Sequence, residues 1–342
     1  MPSSSSRSKP KPSEVASEAK RHYIPLIRTQ YASIWATSSY MIHHPLQQIT
    51  FLDRPLDVTP PVFCVTVGDP VDFAIGWGEG TQSPVPFICP ANDRRPGGDW
   101  DTGVVGYEER LCRRSTLAAC LSTPEDGSSV NGHYPLPISA VIVSRDVVVF
   151  RGPHDTYDKR APDAWRALPV VSVPPPRWPK LTQNGTKYSF ADERDMVKEK
   201  LRGALRICAY NNYSTIVIGD FGLGNGYRNP PQELAELWRE VFLYDPDLRG
   251  RIKNVAFVFE DPTQSTAQLI LDDMAKKARS NGSSASGRSK AKGSSLGSAL
   301  GSSAAKISTT DYQIFKQVFD HTEVQRFLGQ PDPRYELSTL IA

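Results

Sequence analysis

Short, continuously apolar segments recur along this chain and alternate with segments of helical periodicity. Such strands are predicted over residues 61–67, 85–90, 168–173, 214–222 and 252–260. A strand that is apolar on both faces must be covered on both sides. The alternation therefore predicts an α/β fold in which helices flank a mixed sheet, with ligands bound at the carboxyl ends of the strands.

Helical periodicity predicts the covering elements. Helices are expected over residues 107–121, 193–212 and 230–243, and a last helix over 310–320. Two further strands are predicted over 138–143 and 146–151.

Composition predicts how the chain is divided. Residues 1–12 are rich in Ser, Lys and Pro and are expected to be disordered, and 13–60 are expected to form an N-terminal helical extension. Residues 280–306 are rich in Ser, Gly and Ala and read as a flexible low-complexity insertion. The main domain is then expected to comprise residues 61–262 together with 308–330.

Charge and cysteine content exclude several classes of protein. The net charge of +3 on 342 residues is too mild to predict direct nucleic-acid binding, and no apolar run of about 18 residues predicts a membrane span. The five cysteines form no C-x-x-C pair, so we expect reduced thiols and no structural zinc. With no secretory signal pattern at the N-terminus, the expected location is intracellular, nuclear or cytoplasmic or both.

Two glycine-rich loops follow predicted strands. The first contains Gly97 and Gly98 and precedes the paired acids Glu108 and Glu109; the second is "GDFGLGNGYRNPP", residues 219–231. Glycines let backbone N–H groups approach a phosphate closely. The second loop lacks the G-x-G-x-x-G spacing of nicotinamide-cofactor sites and the Gly-Lys-Ser/Thr of Walker-type phosphate loops. Two such loops can hold two parts of one ligand, for which a pyrophosphate between two sugars is a natural candidate.

The stretch "FICPANDRRPGGDWDTGVVGYEERLCRRSTL" resembles the signature of the microbial-type poly(ADP-ribose) glycohydrolases. That family has a G-G-G run about seven residues before Q-E-E, where this chain has Gly97-Gly98-Asp99 and Tyr107-Glu108-Glu109. The resemblance extends over residues 20–260 and includes 215–238. It implies a three-layer, macrodomain-like fold, an insertion over 261–306, and hydrolysis of ribose–ribose O-glycosidic bonds to release ADP-ribose.

The resemblance also implies roles for individual residues. Glu109 would act as the acid and base on a bond that breaks through an oxocarbenium-like state, while Glu108 would hold ribose hydroxyls. No cofactor and no metal are implied. The implied partners are poly(ADP-ribose) or ADP-ribosylated proteins, with ADP-ribose as product and a part in the DNA damage response. The ligand-binding residues would be Ala91, Asn92, Gly97, Gly98, Tyr107, Gly222, Leu223, Gly224, Asn225, Gly226 and Tyr227.

Three departures leave other functions open. Asp99 replaces a glycine beside the expected pyrophosphate, Tyr107 replaces the glutamine, and N-F-A-S is replaced by residues 89–92. The alternatives are a non-catalytic reader of ADP-ribose and a hydrolase of single ADP-ribose units. Glu108 and Glu109 also simply favour the first turn of a helix. That position lowers a carboxyl pKa, whereas burial and a second carboxylate raise it.

Other polar residues near the signature allow two interpretations each. Arg110, Arg113 and Arg114 either face an anionic polymer or form a solvated helix face. Asn92 and Tyr227 are either ligand contacts or ordinary loop residues. Trp100 either covers the site or packs. The histidines have no metal-like spacing.

Overall fold

The computed structural model describes residues 9–53, 59–125, 132–284 and 309–330. Most of the segment predicted to be disordered, and residues 285–306 of the predicted insertion, lie outside these ranges. Within these ranges, seven strands form one sheet in the order β1-β4-β5-β3-β6-β7-β2. The strands are β1 Tyr40–Ile42, β2 Val62–Val67, β3 Phe87–Pro90, β4 Val141–Val149, β5 Arg166–Val173, β6 Thr215–Ile218 and β7 Asn254–Phe259.

The direction of the strands brings five of their carboxyl ends to one edge. The pairs β3–β5, β3–β6, β6–β7 and β2–β7 are parallel, while β4 and β1 run antiparallel at the other side of the sheet. The prediction of a mixed α/β sheet is confirmed. Loops that follow β3, β5, β6 and β7 therefore meet at the same edge.

Helices cover both faces of the sheet. They are α1 Pro12–Glu18, α2 Ile24–Gln30, α3 Pro45–Gln48, α4 Pro70–Thr81, α5 Tyr107–Arg114, α6 Leu117–Leu121, α7 Ala191–Tyr210, α8 Gly224–Tyr227, α9 Pro231–Tyr244, α10 Thr266–Ser284, α11 Asp311–Val318 and α12 His321–Leu328. None of these helices is long and apolar enough to cross a membrane.

Two apolar cores make the fold three-layered. On one face Trp238 of α9 and Leu201 of α7 pack with Phe257 of β7. On the other, Ile27 of α2 and Leu117 of α6 pack in a core with β-strand residues such as Phe87. Alternate residues of a strand point to opposite faces, so the continuously apolar strands supply both cores.

Several predicted boundaries differ in the structure. The helix expected over 107–121 is broken at Ser115, which bridges to Val149, and becomes α5 and α6. The two strands expected over 138–151 are one strand, β4, with an irregularity between Ser144 and Val147. The helix expected over 310–320 is two helices, α11 and α12.

The N-terminal segment contains more than the predicted helices. A π-helical turn at Ala19–Tyr23 separates α1 from α2. Pro25 lacks an N–H and its ring would collide with the carbonyl four residues earlier, so a wider turn before it relieves the clash. β1 then joins the sheet by pairing with β4. Tyr23 stacks on Phe150 with ring centroids 4.5 Å apart, so this segment packs directly on the sheet.

Candidate active site

The two glycine-rich loops meet because their strands are neighbours. The first loop, residues 91–106, follows β3 and leads into α5, and the second, residues 219–231, follows β6 and includes α8. The hydroxyl of Tyr227 in α8 donates to the carbonyl of Pro90 at the end of β3, at 3.3 Å. Burial raises the pKa of that hydroxyl, so it remains protonated and ties the two loops together.

Glu108 is buried at the first turn of α5 and is only 2% exposed. Its Oε2 accepts a hydrogen bond from the Asn92 backbone N–H at 2.7 Å, and its Oε1 has no partner within the described residues. Burial raises the pKa of Glu108 well above its ordinary value and neighbouring Glu109 raises it further, while Arg177 opposes both. Desolvation, rather than the helix N-terminus, therefore decides the direction in which the pKa of Glu108 shifts. Oε1 is left available to a hydroxyl donor.

Glu109 lies in a slot between two glycines. A Cβ atom on Gly106 would lie 2.9 Å from the carboxyl carbon of Glu109, and one on Gly98 would lie 3.1 Å from it. The carboxylate oxygens would be closer still. Oε1 accepts a weak hydrogen bond from the Asp99 backbone N–H at 3.4 Å. The absence of two side chains thus makes room for this carboxylate beside the first loop.

Gly97 is required for packing as well as for conformation. Its φ is +71°, in the left-handed region, and a Cβ there would lie 2.8 Å from Cys112 Sγ and 2.9 Å from Trp100 Cδ1. Trp100 is 7% exposed, so it packs rather than covers the site. Burial raises the pKa of the Cys112 thiol well above its ordinary value, which removes it as a nucleophile near neutral pH.

Arg113 holds the first loop in place. Its fully buried guanidinium donates from Nε to the carbonyl of Trp100 at 2.8 Å, and from Nη2 to the carbonyls of Thr102, at 3.1 Å, and Val104. Arg114 is also buried and pairs with Asp69 at 2.7 Å. For these two arginines both predicted environments, polymer-facing and solvated, are wrong. The spacing of these arginines in the sequence could not indicate their burial, because Arg113 donates to backbone carbonyls and Arg114 pairs with Asp69, which is distant in the sequence.

Arg110 connects Tyr107 to the end of β7. Its guanidinium carbon lies 4.3 Å from the centre of the Tyr107 ring, and Nη1 lies 2.6 Å from Glu260 Oε2 and 3.0 Å from His154 Nε2. Burial raises the pKa of Glu260 to about 7, and burial, aided by Arg110, lowers that of His154 to about 4. His154 is therefore neutral near pH 7. The sequence did not indicate Glu260 or His154 as part of this edge.

The first loop begins with a turn built on Asn92. Its side-chain oxygen accepts from the backbone N–H groups of Arg94, at 2.8 Å, and Arg95, at 3.2 Å. Its Nδ2 would lie 3.1 Å from a Cβ on Gly98, so the amide group faces the slot that holds Glu109. Ala91 is fully buried, so its side chain is not open to a ligand. Its backbone N–H is engaged as well, since it donates to the carbonyl of Val173 at 2.9 Å.

The Asp99 side chain turns away from Glu109. Its carboxylate pairs with Arg95, and the side chain is 39% exposed. Only its backbone N–H faces the Glu109 carboxylate. The repulsion expected between Asp99 and a bound pyrophosphate is thereby reduced.

The second loop is fixed by contacts to α10 and α11. The N–H of Gly224 donates to Thr266 Oγ1 at 2.7 Å, and that hydroxyl donates to Asp311 Oδ2 at 2.6 Å. The N–H of Leu223 donates to the carbonyl of Asp220 at 3.2 Å. The N–H groups of Leu223 and Gly224 are thus engaged within the protein, whereas Asn225 and Gly226 are exposed.

Asp220 at the start of this loop is a buried carboxyl group. It is 1% exposed and neither oxygen has a partner in the part of the chain that the structure describes. Burial raises its pKa well above the ordinary value of 3.8, and Glu260 and Asp311 add to the effect. No group of three or more potential metal ligands occurs among the described residues.

Comparisons with known proteins show which family part of this chain is similar to. Residues 65–152, which contain β3, the first loop, α5 and β4, match the family model described as microbial-type PARG, catalytic domain. The resemblance found in the sequence is confirmed. No curated protein matches the chain in sequence.

Solved structures of poly(ADP-ribose) glycohydrolases share the fold. The enzyme from Thermomonospora curvata is 17% identical with a TM-score of 0.53, and the match covers 77% of this chain and 98% of that one. The same protein bound to the inhibitor ADP-HPD is 15% identical with a TM-score of 0.54, covering 78% and 98%. A mutant of the Deinococcus radiodurans enzyme in complex with ADP-ribose is 18% identical with a TM-score of 0.52, covering 72% and 97%. Each is evidence for the fold.

Proposed function

We propose that the protein is a poly(ADP-ribose) glycohydrolase, a glycoside hydrolase that cleaves ribose–ribose O-glycosidic bonds and releases ADP-ribose. The observation that carries the proposal is the position of Glu109. It lies at the start of α5 in a slot between Gly98 and Gly106, beside a buried Glu108, within the stretch that matches the catalytic family model. This arrangement supports a role in proton transfer for Glu109 and a role in holding the sugar for Glu108.

In the proposed reaction the Glu109 carboxylic acid protonates the ribose oxygen that leaves. The bond to the anomeric carbon breaks through an oxocarbenium-like state, and the Glu109 carboxylate then takes a proton from the attacking water. Glu108 holds ribose hydroxyls through Oε1, the buried oxygen for which the described residues supply no donor. Hydroxyl donors would stabilise its charged form, which burial alone disfavours.

The ligand's pyrophosphate is proposed to lie between the two loops. Tyr227 ties them together and its ring lies 5.3 Å from the guanidinium carbon of Arg177, which places a cation beside this passage. Asn225 and Gly226 are the members of the second loop that face solvent and are open to a ligand. We further propose that ADP-ribose binds in the macrodomain mode and that ADP-ribosylated proteins are partners. The proposed location is intracellular, nuclear or cytoplasmic or both, and the proposed role is in the DNA damage response.

The departures that favoured a non-catalytic reader have a structural explanation. Asp99 pairs with Arg95, and Tyr107 packs against Arg110 instead of filling the Glu109 slot. Neither side chain takes the place of a catalytic carboxylate. These contacts support the hydrolase over the reader.

The test is incubation of the purified protein with two substrates, a poly(ADP-ribose) polymerase carrying its own polymer and a protein carrying single ADP-ribose units. Loss of polymer with appearance of free ADP-ribose is expected, with slow or no release from the singly modified protein. Release from the singly modified protein alone would replace the proposal by a mono-ADP-ribosyl hydrolase. No release from either, with ADP-ribose still bound in calorimetry, would leave only the reader.

A further inference from the structure

A cavity lies next to the slot that holds Glu109, on the β5 side of β3. We propose that it binds a phosphate group of the polymer unit that leaves when the glycosidic bond breaks. The cavity has a volume of about 520 Å³. This inference rests on the proposed function and adds to it a site that recognises the leaving group. Four cationic residues line the cavity: Arg94, Arg95, Arg177 and Lys200.

The order of the strands places this cavity opposite the second glycine loop. β6 and β5 flank β3 on its two sides, and all three strands are parallel. The second glycine loop follows β6, whereas the cavity is walled by Pro174–Arg177, which follow β5. A terminal unit whose pyrophosphate lies toward β6 therefore has its scissile bond over β3 and its leaving group toward β5.

Two residues border both the cavity and the catalytic slot. Asn92 presents its amide group to the slot, and the Asp99 N–H lies 3.4 Å from Glu109 Oε1, while both residues also line the cavity. The cavity thus adjoins the place where the bond is cut. In poly(ADP-ribose) the leaving oxygen belongs to the adenosine ribose of the preceding unit. A pyrophosphate is attached to that same ribose, so it is held close to the bond that is cut.

Lys200 is the strongest sign that the cavity receives an anion. This residue of α7 is only 9% exposed, and its ammonium donates to the carbonyl of Ile138. An ammonium carries three N–H donors, and within the described residues no other acceptor contacts it. Burial lowers its pKa to about 8, and Asp93 only partly opposes this. A buried ammonium without a carboxylate partner is costly, and a bound phosphate would offset that cost.

The balance of charge in the cavity also favours an anion. Two acids, Asp93 and Asp99, line it with the four cations, and Asp99 is already paired with Arg95. Three cations then remain against Asp93, and one of them, Arg177, also lies beside Tyr227 and the passage between the loops. A pyrophosphate, which carries two negative charges, matches this excess. A single ADP-ribose unit on a protein brings no second pyrophosphate, so the site distinguishes polymer from singly modified protein.

The test compares the binding of ADP-ribose with that of its dimer, in which two units are joined by the ribose–ribose bond. Glu109→Gln protein is used so that the dimer is not cut, and affinities are measured by calorimetry. The dimer is expected to bind about 10- to 100-fold more tightly than ADP-ribose, as for added hydrogen bonds to a charged group. Lys200→Met should remove most of this difference, and Arg94→Gln, at an exposed position, should reduce it without risk to folding.

Lys198→Gln is the matched control. Lys198 lies on the same helix as Lys200 but pairs with Glu240 and does not line the cavity. It should retain the dimer preference, and thermal melts should show that all variants are folded. Equal binding of dimer and ADP-ribose by the parent protein, or a preference that persists in Lys200→Met, would overturn the site.

The outcomes separate this inference from the proposed function. If wild-type protein cuts polymer but shows no dimer preference, the function stands and the site is wrong. If the preference is present but polymer is not cut, the site stands and the hydrolase is wrong. Failure to bind either ligand overturns both.

Discussion

Replacing Gly106 by alanine is expected to lower activity about 100-fold while leaving the fold almost unchanged. Gly106 caps α5 with φ −106° and ψ 169°, a conformation that alanine adopts without strain. The new methyl group would lie 2.9 Å from the carboxyl carbon of Glu109. Carbon atoms in contact settle at about 3.5–4.0 Å, so the carboxylate must retreat by roughly 1 Å.

The two effects of this substitution differ greatly in size. A misplacement of about 1 Å in a catalytic group costs about 100-fold in rate. The clash is with the end of a flexible side chain, and alanine in place of glycine at a helix N-cap costs about 1 kcal/mol, so stability should fall by about that amount. The assay is kcat/KM for poly(ADP-ribose) hydrolysis beside thermal melting of the same protein.

Gly103→Ala provides the control within the same loop. A Cβ at Gly103 would have no atom within 4 Å, so this variant should keep both activity and stability. Wild-type turnover by Gly106→Ala would show that Glu109 does not act from this slot. Loss of activity through unfolding would show instead that the clash between the new methyl group and Glu109 is relieved by movement of the backbone and not of the carboxylate.

Three further predictions concern buried charges near the site. Arg113→Lys should lower both melting temperature and kcat, because one ammonium cannot reach the carbonyls that the guanidinium fork joins; melting and turnover equal to wild type would contradict its role in holding the loop. The affinity for ADP-ribose should rise with pH above 4.5, by up to about tenfold per pH unit, because Glu108 with its raised pKa must ionise to accept hydrogen bonds from ribose hydroxyls. Calorimetry across a pH series measures this rise. Glu108→Gln should flatten the pH profile. Asp220→Asn should stabilise the protein near pH 7. A carboxyl group whose pKa is raised on folding lowers the free energy of unfolding as pH increases from its ordinary pKa of 3.8 to its folded pKa, by about 1.4 kcal/mol for each pH unit between the two. Melting curves at pH 7 and pH 3 should show the gain at pH 7 only, and equal gains at both would exclude this cause.

Most of the strands could be predicted from the sequence because burial on both faces leaves an unambiguous apolar run. β3, β6 and β7 fall within their predicted ranges for this reason. α4 was missed, since its three glycines weaken a helical pattern that the Asp69 cap and packing on the sheet sustain in the fold. β1 was missed because three residues carry too little periodicity, and its pairing with β4 is a long-range contact.

At the candidate site the sequence located the chemistry but not its support. Paired acids after glycines predicted the start of α5, where Glu108 and Glu109 now lie. The sequence predicted that the glycines contact phosphate. The structure also shows that Gly98 and Gly106 make room for the Glu109 side chain. Arg113 could not be recognised, because its partners are carbonyls whose positions exist only once the loop is folded.

The most direct test of the account is release of ADP-ribose from purified polymer by wild-type and Glu109→Gln protein, with ADP-ribose binding measured for both. The account predicts that both proteins bind ADP-ribose with similar affinity and that the variant is slower by about 10²- to 10⁴-fold, the usual contribution of a general acid. Equal turnover by the two proteins would remove Glu109 from the reaction. An inactive wild type that still binds ADP-ribose would contradict the assignment of the protein as a glycohydrolase.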